Sequence, residues 1–297
     1  MTPPDRLEVR QTGSTHLAAG YGLAAGHGPA ADCCAYHYAP ELPKPCLHPL
    51  VTPRGHILTG FQMSDHIWHR GLWFAIKLVN GHNLWEENPP FGVQRSAAEP
   101  RGEFLAADTL RLTHDLLWTA PAGEVLLREH RTMRWRIPAT GVRAIDWSSV
   151  LDAADDLTLD RTPYTTWGGY GGLSFRASRQ LHEARFRAPG AEPGTSLAGG
   201  RHPWVAMDGR MDGGVDERIA LAILDHPANP RSPSPWYCKT GNGSVFMNAA
   251  FLFHEPLALA RGERMSLRYR VLWRDGTWTD AELADLAADF AAEEVGA

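Results

Sequence analysis

The sequence predicts an all-β chain: a single-domain antiparallel β-sandwich, finished by one C-terminal helix. Three observations predict it. Apolar residues alternate with period two over long stretches, which puts each set on one face of a sheet. Glycine (29) and proline (22) are frequent for 297 residues, and so much turn chemistry suits many short strands. A convincing helical period of apolar residues occurs only near the C-terminus, so the βαβα alternation of Rossmann or TIM-barrel chains is missing.

Taken in order, Leu72, Phe74, Ile76 and Leu78 share one parity. Leu110, Leu112, His114, Leu116 and Trp118 alternate with Thr109, Arg111, Thr113, Asp115 and Leu117. Strands are also expected over 124–137, 142–151, 170–176, 219–224 and 245–253, with turn signals at Pro121-Ala122-Gly123, Pro138-Ala139-Thr140-Gly141 and Arg261-Gly262-Glu263. Met265, Leu267, Tyr269, Val271 and Trp273 oppose Ser266, Arg268, Arg270 and Leu272. Thr279-Asp280-Ala281-Glu282 then reads as a capping box. Leu283, Leu286, Ala287 and Phe290 follow as a stripe that lies on a sheet. The stretch 188–217, rich in Gly, Pro and Asp, reads as a long loop. No repeat or composition shift divides the chain, so residues 1–297 read as one domain.

Charge and composition exclude several functions. The net charge of −5 argues against a nucleic-acid-binding face or a polybasic membrane anchor. No run of eighteen apolar residues is present, so no membrane-spanning helix is expected. The N-terminus lacks the pattern of a secretion leader, and a cytoplasmic location is expected. Cys33, Cys34, Cys46 and Cys238 form no C-x-x-C pair, so idle or buried thiols are expected. Gly168-Gly169-Tyr170-Gly171-Gly172 is not followed by Lys-Ser/Thr and is no phosphate loop. It reads as backbone that needs positive φ or a close approach.

Candidate chemistry concentrates in two segments. The first, 44–86, holds His48, then Asp65-His66-Ile67-Trp68-His69-Arg70, then Trp73 and Glu86. His66 and His69, three apart, can face one pocket if they lie in a turn. Imidazoles titrate near neutrality and can move protons, and Asp65 can orient one of them. The second, 225–237, holds Asp225-His226-Pro227-Ala228-Asn229-Pro230-Arg231 and Trp236 beside an apolar strand. Either segment can equally be a hydrogen-bonded turn that only shapes backbone. Tryptophan is abundant at 11, and histidine at 14. Trp68, Trp73, Trp85, Trp167, Trp204 and Trp236 lie in or beside polar loops, where indole faces can stack on sugar rings or plug the sandwich ends. His48, His66, His69, His226 and His254 with Asp65 or Glu86 are the residues from which a metal site would be drawn, but no metal signature such as H-E-x-x-H is present. Neither a metal nor another cofactor is assigned.

His48-Pro49-Leu50, Thr52-Pro53, Gly55, Asp65-His66-x-x-His69-Arg70-Gly71-Leu72-Trp73-Phe74-Ala75, Asn80-Gly81, Asp225-His226-Pro227-x-Asn229-Pro230-Arg231 and Arg268-Tyr269-Arg270-Val271-Leu272, in this order, resemble the PmoA-like family over about residues 36 to 291. Ile67 and Trp68 depart from the family pattern, which more often has Pro and His there. The resemblance implies a galactose-mutarotase-like sandwich and a carbohydrate context.

The expectation is therefore an enzyme acting on a sugar or oxidised sugar by histidine acid–base chemistry, of epimerase or mutarotase, lyase or hydrolase type. His66, His69 and His226 are the candidate acid and base, oriented by Asp65 and Asp225. Arg70 and Arg231 hold an acid group or developing oxyanion. Trp68, Trp73 and Trp236 form the stacking wall, and His48 and Glu86 complete the set. The alternatives are a non-catalytic carbohydrate-binding protein and a metal-dependent oxidoreductase. A small-molecule carbohydrate is the expected partner, and self-association is left open.

Overall fold

Two large antiparallel sheets face each other across one apolar core. The computed structural model describes residues 6–11, 16–22, 32–139, 141–162, 169–192, 194–213, 217–241 and 243–293. The first sheet has eight strands in the order Arg6–Gln11, His16–Gly22, Asp32–His37, Cys46–Leu50, Leu72–Ala75, Gly172–Arg176, Ser244–Ala249 and Trp236–Gly241. The second orders Val93–Ser96, Thr109–Thr119, Val125–Ala139, Val142–Ala153, Arg264–Asp275, Arg218–Asp225, Trp204–Met211 and Leu181–Arg187, with Arg101–Ala106 also paired to Thr109–Thr119. A short hairpin, Phe61–Met63 with His66–Arg70, and a small sheet holding Leu78–Val79 complete it. No helix among the described residues is long and apolar enough to cross a membrane.

The alternation decides which side each residue buries. Leu72, Phe74, Leu173, Phe175 and Met247 of the first sheet meet Leu112, Leu116, Met133, Ile145, Leu267 and Val271 of the second in the main core. Burying one such side chain contributes about 1.5–3 kcal/mol, so a register slip of one residue would forfeit most of the core. Cys34 and Cys46 are buried.

The helix Asp280–Ala291 begins with the expected capping box: Thr279 accepts from the Glu282 amide and Glu282 accepts from the Thr279 amide. Leu283 and Phe290, flanked by Leu286 and Ala287, pack on Ala144, Ala220, Ala222, Leu224 and Leu272. They cover one end of the second sheet's outer face.

Two expectations need correction. The stretch 188–217 is not a continuous loop, because Trp204–Met211 is a buried strand paired on both sides. Its apolar run Trp204-Val205-Ala206-Met207 has no period-two signature, since helix and core cover both of its faces. The strand expected through 78 ends at Ala75, and Leu78–Val79 joins the small sheet instead.

Candidate functional site

The outward face of the first sheet carries the site. The parity that sends Leu72, Phe74 and Phe175 inward sends Trp73, Ala75, Arg176 and Phe246 outward. A second apolar cluster forms there from Cys46, Trp73, Ala75, Trp85 and Phe246, flanked by Trp68, Tyr170 and Tyr237. Above it opens a cleft of about 800 Å³. Aromatic rings (Trp68, Trp85, Tyr170, Tyr237, Phe246) and titratable groups (Asp65, His66, His69, Lys77, Glu86, Arg176) line it together.

His66 and His69 reach the cleft from a hairpin strand rather than a turn. Met63 pairs with His66 and Phe61 with Arg70, so three residues on one strand face five on the other. Such a bulge re-aims side chains that would otherwise alternate. The two imidazoles stack with centroids 4.6 Å apart at 18°. Gly71 follows at φ +72°, where a Cβ would stand 2.4 Å from the Leu47 carbonyl oxygen, so only glycine fits this turn.

The Asp65 carboxylate accepts from His66 Nδ1 at 2.8 Å, Arg176 Nη2 at 2.6 Å and Arg179 Nη2 at 3.1 Å. Partial burial pushes the Asp65 carboxyl up, but the bonds from His66, Arg176 and Arg179 outweigh it and hold it well below the usual range. An ionised Asp65 can only accept, so His66 donates through Nδ1 and keeps a basic Nε2. His69 shows the opposite tautomer. Its Nδ1 lies 3.3 Å from Arg176 Nη1, a group that only donates, so the neutral ring carries its hydrogen on Nε2. Burial, then the nearby His66 and Arg176, push His69 down to about 2. One imidazole thus offers a base and its stacked neighbour a fixed N–H donor.

Glu86 is the second centre. It accepts from Lys77 Nζ and, at 3.0 Å, from the Tyr170 hydroxyl. Burial and the Glu86 charge hold the Tyr170 hydroxyl protonated. The Asn83 side chain braces the loop by accepting from the Trp85 and Glu86 amides and donating to the Glu86 carbonyl. Beneath it, Lys44 Nζ donates to the Trp85 carbonyl at 2.6 Å.

Five of the sequence-predicted residues meet here: Asp65, His66, Trp68, His69 and Glu86. The others are placed elsewhere. Trp73 is fully buried beneath the cleft, its ring 5.1 Å from His69. Arg70 is buried and paired through Nε and Nη2 with Glu87, so it is consumed by structure. His48 bonds Thr59 and stacks on Phe61.

The second segment does not line the cleft, so Asp225, His226, Arg231 and Trp236, grouped with His66 and His69 on sequence, stand apart from them. Asp225 is buried and accepts from Asn229, Ser232 and twice from Ser234. His226 accepts from the Ala228 amide and packs on Phe290. Arg231 donates to the carbonyls of Phe251, Glu255 and Pro256, and Trp236 is fully buried and donates to the His202 carbonyl. These polar atoms are spent on the turn's own side chains and on backbone.

Lys77, Asn83, Tyr170, Arg176, Tyr237 and Phe246 were missed. Tyr170 had a signal in its glycine run: Gly172 sits at φ +122° with a would-be Cβ 2.2 Å from the Ala249 carbonyl oxygen. Gly168 and Trp167 lie outside the described residues. Among those described, no three His, Cys, Asp or Glu side chains group to hold a metal ion.

Burial also predicts acid lability. It pushes His48 down to about 4 (with His37 adding), His69 to about 2 and His114 to about 3 (with Arg131 adding). Unfolded, each titrates near 6.5, so below that pH the unfolded chain binds more protons and stability falls as pH falls. Each fully buried imidazole is expected to remove about 1.4 kcal/mol per pH unit, and the half-buried His48 less, because water screens it. Urea titrations at pH 7.5 and 5.5 should show a lower midpoint at unchanged slope. Equal midpoints would mean that these rings accept protons in place.

The model of a family of unknown function, DUF6807, matches residues 31–288. The chain belongs to the DUF6807 family. The match spans nearly the stretch of the PmoA-like resemblance, but its name assigns no activity. No curated protein matches this DUF6807 chain. Solved structures similar to it include a galactose mutarotase related enzyme from Lactobacillus acidophilus (10% identity, 92% of this chain and 98% of that one, TM-score 0.38). A GalM/aldose epimerase homologue from C. elegans (10%, 93% and 100%, 0.38) and an alpha-galactosidase from Lactobacillus brevis (9%, 93% and 40%, 0.41) are also similar.

Proposed function

We propose that the cleft binds a sugar and that His66 moves a proton on it, opening and reclosing the ring at the anomeric centre. The observation that carries this reading is the Asp65–His66 pair set in an aromatic-lined cleft. Aromatic faces suit the C–H side of a sugar ring, while Glu86, Lys77 and Asn83 supply hydroxyl partners. His66 Nε2 removes the anomeric hydroxyl proton as the ring C–O bond breaks and the carbonyl forms. The imidazolium returns that proton to the former ring oxygen. His69, through Nε2–H, steadies negative charge developing on oxygen. Reclosure on the other face of the carbonyl gives the other anomer, and no co-reactant is consumed.

Carboxylate-pair glycoside cleavage fits less well. It needs a general acid with a raised pKa, whereas Asp65 is held low by its bonds from His66, Arg176 and Arg179, and Glu86 is tied to Lys77 and Tyr170. A binding protein without turnover is the second reading, favoured by the same aromatic lining. Freshly dissolved single anomers of a panel of aldoses and sugar acids, followed by NMR, separate the two. The expected result is saturable acceleration of anomer exchange for one sugar class. A sugar that binds the cleft with no acceleration supports the binding reading and overturns the catalytic one.

A further inference from the structure

The outer face of the second sheet holds a groove of about 550 Å³ that the helix leaves open. Its floor follows from register. Arg101 pairs with Thr113, Thr113 with Thr132, Thr132 with Ser148, and Ser148 with Arg268. All five sit at the outward parity of their strands. Three hydroxyls therefore stand in a straight row across the sheet, with a guanidinium at each end. Among the described residues, Arg101, Thr113, Thr132 and Ser148 have no side-chain partner. The next row is electropositive. Arg111 takes Glu103, Asp146 serves Arg270 at 2.5 Å, Arg136 at 2.9 Å and Arg134 at 3.8 Å, and Glu293 serves Arg134 at 3.1 Å, Arg136 at 3.7 Å and Arg270 as well. Those four arginines meet three carboxylates, and Arg101 and Arg268 add to the positive charge of the groove on a chain whose net charge is −5.

The second sequence motif, which the cleft does not use, secures one end of this row. Asn229 accepts from the Arg268 amide at 2.6 Å and donates to its carbonyl at 2.7 Å, and Asp225 holds that Asn229 side chain at 2.8 Å. The His226 amide donates to the same carbonyl. The turn works as a clamp on Arg268.

We propose that this groove is a second ligand site, separate from the catalytic cleft, that takes a short acidic oligosaccharide laid across the strands. Adjacent strands lie about 4.8 Å apart, so the row spans roughly 19 Å between the terminal arginines. That is the length of a few sugar units rather than one ring, and each strand step is close to one pyranose unit. Hydroxyls of Thr113, Thr132 and Ser148 meet sugar hydroxyls, while Arg101 and Arg268 meet carboxylate or sulfate groups, Arg268 through its nitrogens other than the Nη1 that His226 Nε2 and the Glu293 carbonyl hold at 3.1 and 3.4 Å. Single-stranded nucleic acid fits poorly. It needs exposed rings for base stacking, and Trp147 of the lining is only 1% exposed.

Calorimetry of the full chain tests this with a galacturonic acid tetramer, a sulfated tetrasaccharide, neutral maltotetraose, tetraglutamate and a short single-stranded RNA. The expected result is binding of one or both acidic sugars, weakened by added salt and at least tenfold in Thr132→Val and in Arg101→Ala. Arg101 lies on an exposed edge strand, so its loss leaves the fold intact. Tetraglutamate or RNA binding as tightly as the acidic sugars would reduce the groove to plain charge and overturn the proposal. So would maltotetraose binding as tightly, or no loss in either variant. Loss of the acidic sugar in His66→Gln but not in Thr132→Val would move the ligand to the cleft.

Discussion

His66→Gln is expected to lower anomer exchange of the cleft's sugar by about two to four orders of magnitude, the usual worth of a positioned acid–base group, with little change in melting temperature. The side chain is 40% exposed and its one hydrogen bond goes to Asp65. Replacing it opens no cavity in the core and gives up the stack on His69, an aromatic contact worth about 0.5–1.5 kcal/mol. Asp65→Asn separates orientation from charge. It leaves the nearly fully buried Arg176 without its carboxylate, so rate and stability are expected to fall together. His69→Ala is expected to act on rate through the lost Nε2–H donor and on stability through the lost stack with Trp73 and Phe246. Rates and melting curves on the same preparations check all three. A His66→Gln protein that keeps its rate would remove the imidazole from the chemistry.

These side chains were legible in the sequence to different depths, for physical reasons. Period two was enough to orient Leu72, Phe74, Met265 and Leu267 correctly, and the helical period did the same for the stripe on Asp280–Ala291, because burial on one face leaves a local pattern. It was not enough to find Arg176 or Phe246. Their strands join Leu72–Ala75 on one face only through sheet order, Gly172–Arg176 beside it and Ser244–Ala249 next along, and that order is set by pairings about 70 to 100 residues apart. The two Asp-His turns show the deeper limit. They have similar residue types, yet Asp225 spends its carboxylate on its own turn and Asp65 spends its carboxylate on an exposed imidazole and two arginines. Composition does not distinguish them; what the polar atoms bond to does. Arg70 makes the same point, since Glu87, seventeen residues on, takes its Nε and Nη2 together.

Glu129→Ala is expected to cost about 3–5 kcal/mol, because it strands a buried cation. Arg131 and Glu129 are both inaccessible to solvent inside the sandwich. Arg131 donates to Glu129 through Nε at 2.8 Å and Nη2 at 2.9 Å, and its guanidinium lies 4.7 Å over the Trp147 ring. Burial works against that charge, but Glu129 outweighs it and holds Arg131 above its ordinary value. Glu129 also accepts from Trp118 Nε1 and Ser149 Oγ, so truncation leaves those buried donors unpaired as well. Two isosteric apolar replacements together, Glu129→Leu with Arg131→Met, are expected to recover most of the loss, since the desolvation cost of the pair disappears with it. Denaturant midpoints of the single and double variants measure this. The network also touches the site from behind. Arg131 Nη2 donates to Gln94, and Gln94 donates to the carbonyl of Phe74, next to Trp73 at the floor of the cleft. Gln94→Leu, which cuts that link and leaves the Arg131–Glu129 pair whole, is therefore expected to cost less stability than Glu129→Ala while loosening the Trp73–His69 packing. A Glu129→Ala loss below about 1 kcal/mol would mean that water reaches Arg131, and the dry core described between the two sheets would not hold.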